Sequence, residues 1–95
     1  MKAIFIAYNQ AYYKEIIDLL EAQGVRGYTE WNEIHGRGSV DGEAHEGSHA
    51  WPTMNNAILT FVEDGLCQPI LEAIRAKDEE TPELGMRAFS WSVDR

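Results

Sequence analysis

Three histidines, His35, His45 and His49, sit in one glycine-rich stretch, with Glu46 directly after His45. Imidazole and carboxylate ligands together suit Zn²⁺, Cu²⁺ or Ni²⁺. His45 and His49 stand at i, i+4, which would put both on one face of a helix, although Gly47 between them weakens helix formation. His35, His45, Glu46 and His49 therefore form a candidate metal-ligand set. No fixed signature such as H-E-x-x-H accompanies them, and the same residues are also accounted for as solvated or hydrogen-bonded loop side chains. Gly36-Arg37-Gly38-Ser39 is a second candidate. Glycines permit positive φ, successive backbone N–H groups can cradle an anion, and Arg37 can add a bidentate contact. With Arg87, this turn would make a pocket between subunits for a nucleotide or small anion; the alternative is a plain flexible loop entry.

The other reactive residue types fit bland roles as well as chemical ones. Trp31, Trp51 and Trp91 could stack on a ligand ring or supply core and interface area. Cys67 falls on an apolar helical stripe and reads as a small buried hydrophobe. Glu30, Glu33, Asp41, Glu43 and Glu46 make a negative segment without the convergent pair a carboxylate-based hydrolase needs. With no Ser-His-Asp order, P-loop or flavin motif, the expectation is a protein that is not an enzyme.

Composition narrows the classes further. The chain has 95 residues, the length of one domain, 1–95. Hydrophobic residues make up 44% and charged residues 25%, an ordinary globular balance. Eight basic against sixteen acidic residues leave a net charge of −8, which repels nucleic acid and acidic lipid headgroups. The single cysteine closes no internal disulfide. No apolar run approaches the ~20 residues of a membrane span, and the N-terminus does not resemble a signal peptide. A soluble, cytoplasmic protein without membrane insertion is expected.

The elements that would position these residues follow from periodicity. Ala3-Ile4-Phe5-Ile6-Ala7 predicts a buried strand over residues 2–8, with Asn9 as a helix N-cap. Tyr13, Ile16, Ile17 and Leu20 recur at helical spacing, and Gly24 stands where a C-terminal glycine belongs. Residues 25–35 predict a second strand of imperfect alternation, with Glu30, Asn32 and Glu33 interleaved. Residues 36–53 show neither period and predict a long, functional loop. A third strand is predicted over 54–62. A second helix is expected to start near Leu66 or Cys67, because Pro69 belongs in a first turn. Phe89, Trp91 and Val93 alternate along a last strand. The order βαββαβ predicts an α+β, ferredoxin-like domain: a four-stranded antiparallel sheet with two helices on one face and a long loop between strands 2 and 3. Ile4, Ile6, Ile58 and Val62 would point to one face, and Phe5, Leu59 and Phe61 to the other. Two helices cover only one face, so the second apolar face predicts assembly as a trimer or dimer.

The segment Gly24-Val25-Arg26-Gly27-Tyr28-Thr29-Glu30-Trp31-Asn32-Glu33-Ile34-His35-Gly36-Arg37-Gly38 resembles the second strand and loop entry of the PII signal-transduction proteins. Element order and spacing extend the likeness over the whole chain. The resemblance implies a homotrimer that senses a ligand and contacts a partner, such as a membrane transporter, through the 36–53 loop. It implies ligand contacts at Gly27, Thr29, Gly36, Arg37, Gly38 and Arg87, with an adenine-type nucleotide or a divalent transition metal as the ligand. Ligand binding would shift the loop between states that fit the partner differently. The sequence departs from the family pattern in three ways. Residues 37–53 hold no tyrosine to accept a nucleotidyl group. The glycine-rich turn before the last strand is reduced to Glu83-Leu84-Gly85-Met86-Arg87, where only Gly85 and Arg87 are usable. The sequence ends at Arg95, before a basic extension, so the family's usual grip on ATP is not expected. Two other readings stay open: a trimeric metal-binding tolerance protein, and a small ferredoxin-like dimeric enzyme.

Overall fold

A computed structural model describes residues 1–37, 44–45, 54–81 and 85–94. β1 (Lys2–Asn9) leads through a short 3-10 turn, Gln10–Tyr12, into α1 (Tyr13–Ala22). β2 (Thr29–Ile34) follows, then two two-residue strands, β3 (Gly36–Arg37) and β4 (Ala44–His45). β5 (Asn55–Val62), α2 (Asp64–Glu80) and β6 (Arg87–Ser92) complete the chain. The main sheet has the order β2-β5-β1-β6, and every neighbouring pair is antiparallel. Each helix thus links two parallel strands with a third strand between them, the ferredoxin-like arrangement the element order predicts.

Local chemistry explains the element ends. The Asn9 side chain accepts the Ala11 N–H at 2.9 Å and opens the 3-10 turn. After α1, Gly24 takes φ 87°, while the Val25 and Gly24 amides bond back to the Leu20 and Glu21 carbonyls at 2.9 and 3.0 Å. That is the paired-bond stop in which a glycine takes the left-handed position. Val25, the next residue, is buried against the core.

The core lies between the sheet and the two helices. Ile4, Ile6 and Tyr8 of β1 meet Ile58 and Val62 of β5, Ile16 and Leu20 of α1, and Cys67, Ile70 and Ile74 of α2. Cys67 is therefore an interior side chain, as its stripe predicts. The opposite face is open. Phe61 is 52% exposed, Phe89 61%, Trp91 48% and Trp31 45%.

Two boundaries differ from the sequence reading. α2 begins at Asp64, ahead of the expected start at residues 66–67, so Pro69 stands in its second turn. The added residues are exposed, which leaves water free to serve the Gly65 carbonyl that Pro69 cannot. Asp64 also meets the Met1 ammonium at 2.7 Å and favours the positive end of the helix. β2 begins at Thr29, four residues later than expected, because residues 25–28 close the turn after α1. Within residues 36–53, expected to be without regular structure, β3 and β4 form a short antiparallel ladder, with Gly36 opposite His45 and Arg37 opposite Ala44.

Candidate functional site

Strand register gathers the chain ends that carry candidate residues. Asn9 at the end of β1 pairs with Asn55 at the start of β5, and Ile34 at the end of β2 pairs with Asn55. Arg87, first in β6, pairs with Ala7. The last residues of β1 and β2 and the first of β5 and β6 thus share one end of the sheet. His35 and β3 continue from that end.

Gly27 and Thr29 lie along the β2 edge. The Thr60 hydroxyl donates to the Gly27 carbonyl at 2.6 Å and fixes the turn before β2. Thr29 is exposed and pairs with Leu59. His35 is exposed beyond β2, with Gly36 and Arg37 in β3 after it. Arg87 starts the opposite edge strand. Three strand spacings of about 4.8 Å separate those edges, roughly 14 Å. Within one chain the main sheet therefore holds Arg87 apart from Gly27 and Thr29, while Gly36 and Arg37 belong to the separate β3-β4 ladder. Of the proposed metal ligands, His35 and His45 are described; His35 lies between β2 and β3, and the residue after it, Gly36, pairs with His45. Gly38, Glu46 and His49 lie outside the described residues, as do Trp51, Asp41 and Glu43. Among the described residues no group of three or more His, Cys, Asp or Glu could hold a metal ion.

Each edge has its own cleft. One of about 320 Å³ lies where α1 turns toward β2, lined by Glu21, Val25, Arg26 and Tyr28. Another of about 210 Å³ lies between α2 and β6, where Arg75, Asp78 and Arg87 meet Ile74 and Met86. Asp78 accepts the Met86 N–H at 3.2 Å and lies 3.9 Å from the Arg87 guanidinium, which also donates to the Met86 carbonyl at 2.7 Å. This carboxylate secures the start of β6 and holds the arginine head beside the cleft.

A polar group at the end of the sheet is one that sequence reasoning misses. Tyr8 donates to Glu30 Oε2 at 3.1 Å and accepts from Asn56 Nδ2 at 3.5 Å. Burial pushes the Tyr8 hydroxyl well above its ordinary value; the Asn56 bond opposes this and the Glu30 charge adds to it. Tyr8 therefore stays a donor. Tyr13 is pushed up to about 12 by its hydrogen bond to Tyr28, then by lost hydration and the Glu30 charge. The available signals are Asn55-Asn56 at the head of an apolar strand and Glu30 inside a strand of broken alternation.

The model of the family described as nitrogen regulatory protein P-II matches residues 1–94. No curated protein matches the sequence. Among solved structures, the chain is similar to CPII, a nitrogen regulatory PII-like protein from Thiomonas intermedia K12, bound to ADP, AMP and bicarbonate. The identity is 25%, covering 95% of this chain and 82% of that one, with a TM-score of 0.78. CPII bound to ADP and bicarbonate gives 27% identity over 95% and 82%, with a TM-score of 0.76. A candidate PII-like signalling protein from Thermus thermophilus, 23% identical over 97% and 85% with a TM-score of 0.66, shares the fold.

Proposed function

The chain belongs to the nitrogen regulatory protein P-II family, and on that premise we propose that it is a non-enzymatic, cytoplasmic regulator that binds a small anionic ligand between subunits of a homotrimer. The observation that carries this reading is the family match over residues 1–94, which spans both edges of the candidate site. The ligand class is an adenine nucleotide, with bicarbonate as a second candidate, since CPII is similar over nearly the whole chain and binds both. Gly27, Thr29, Gly36, Arg37 and Gly38 would come from one subunit and Arg87 from its neighbour, a reading supported by β2 and β6 being opposite edges of the main sheet. The 36–53 segment would carry the bound state to a partner, such as a membrane transporter. Among the described residues no helix is long and apolar enough to cross a membrane.

A divalent transition metal is a second ligand class, favoured by the ladder that sets His45 opposite the residue after His35. One calorimetric series tests both readings, with ADP, AMP, bicarbonate, Zn²⁺ and Ni²⁺ titrated into the wild type, Arg87→Ala and the His35→Ala, His45→Ala double variant. ADP should bind, and Arg87→Ala should weaken it roughly ten- to a hundredfold, the scale of one charge-assisted bond. Absence of ADP, AMP and bicarbonate binding to the wild type overturns the regulatory reading. Metal affinity left unchanged by loss of both histidines overturns the metal assignment.

A further inference from the structure

Glu33 is the one non-glycine residue with positive φ among the described residues, at 56°. An L side chain there crowds its own backbone, so the conformation persists only where its surroundings impose it. Glu33 lies where the β2–β5 register shifts. Trp31 pairs with Ala57 and Ile34 pairs with Asn55, so three steps on β2 span two on β5. Asn32 and Glu33 together face Asn56, which is a β-bulge. A bulge disrupts the local ladder and bends its strand.

Asn56 meets the bulge with a side-chain contact. Its Oδ1 accepts the Glu33 N–H at 3.1 Å. Asn56 is only 5% exposed, so little water competes for that bond. Its Nδ2 donates to Tyr8, and Tyr8 donates to Glu30, one residue inside the regular part of β2. Side chains from β1, β2 and β5 are thereby joined at the point where β2 stops following the sheet. Three residues after Glu33 the backbone has left the main sheet, and Gly36 pairs with His45 instead.

We propose that Asn56 is a positioning residue: through the Glu33 amide, with Tyr8 and Glu30 behind it, it holds the β2 bulge and so sets the direction in which the chain leaves the sheet toward Gly36. Its effect on a ligand rests on the regulatory reading above; its effect on the backbone does not.

The experiment compares wild type, Asn56→Ala, Glu33→Gly, the Asn56→Ala, Glu33→Gly double variant and Tyr8→Phe. Backbone amide NMR shifts are read at Ile34 to Arg37 and at Ala44 and His45, and ADP affinity is read by calorimetry. Asn56→Ala should displace these amides and weaken ADP roughly tenfold, the scale of one lost buried hydrogen bond. Glu33→Gly alone should change little. The double variant should recover the wild-type shifts and affinity, because glycine adopts positive φ without the clamp. Tyr8→Phe, which removes only the hydroxyl, should move the same amides by less. The proposal fails if the amides stay in place in Asn56→Ala, or if the double variant remains as displaced as Asn56→Ala; that outcome would make Asn56 a simple core filler. Should Asn56→Ala not fold, unmoved amides in Tyr8→Phe overturn the proposal. A wild type that binds no ADP removes the regulatory reading and leaves the amide comparison to decide this one.

Discussion

At the scale of single residues, the positions that hold the site together are buried or half-buried polar side chains that reach backbone atoms. Thr60, Asn56 and Asp78 all bond to the backbone of, or beside, the segments that bear candidate ligand contacts. Asp64 acts in the same way from the surface, against the Met1 ammonium. The hydrogen bond to that ammonium, and then its charge, hold the Asp64 carboxyl below its ordinary value of 3.8. A carboxyl lowered on folding adds stability above its unfolded pKa, and that contribution fades as pH falls through the lowered folded value. Wild type should therefore unfold at higher urea than Asp64→Asn at about pH 6, and the two curves should converge below 3.8. A gap that persists at about pH 2 would assign the difference to something other than this charge. Residue types alone name Arg87 and His35 as candidates. They cannot name Tyr8 or Asn56, because partner and burial come from strands far apart in the sequence.

The elements are legible where periodicity is local and obscured where tertiary contact decides. Ile16 and Leu20 mark α1, Gly24 marks its end, and alternation of Phe89 and Trp91 marks β6. The broken alternation of β2 is visible as Glu30, Asn32 and Glu33, but its cause, an extra residue opposite Asn56, needs the register. The start of α2 is misplaced when Pro69 is assigned to a first turn, since the Met1–Asp64 contact lengthens the helix toward its N-terminus. That placement leaves a cost in the helix. Pro69 has no N–H for the Gly65 carbonyl, and its side chain is exposed, so replacing it disturbs no packing. Pro69→Ala should raise stability by about 1–2 kcal/mol, less than the full interior proline penalty because proline also restricts the unfolded chain. For a domain of this size the melting temperature should rise by ~4–8 °C per kcal/mol. An unchanged or lower melting temperature would mean that the first turn is frayed and α2 effectively begins near Cys67.

At the scale of the molecule, the decisive feature is the sheet face that the helices leave bare. Register arranges its side chains in rows across the strands: Trp91, Ala3 and Phe61 in one, Phe89, Phe5 and Leu59 in the next. Trp31 extends the surface on the β2 edge, beside Ala57 and Ala7. Fully burying one large apolar side chain is worth about 1.5–3 kcal/mol, so four half-exposed aromatics on one chain are a strong drive to associate. On the proposed reading association would also complete the site, since the sheet keeps Arg87 and the β2 edge roughly 14 Å apart within a chain. Oligomer and ligand site should therefore be lost together. Trp91→Glu places a carboxylate on this surface, where an unpaired charge buried by association is prohibitive, while the helix-facing core is untouched. Light scattering should give about three times the 10.8 kDa chain mass for the wild type and a single-chain mass for Trp91→Glu. Far-ultraviolet circular dichroism should be preserved, and ADP binding should disappear with the assembly. A wild type that scatters as one chain, or a monomeric Trp91→Glu that binds ADP as tightly as the wild type, would confine the site to one subunit and leave the exposed aromatics to another partner.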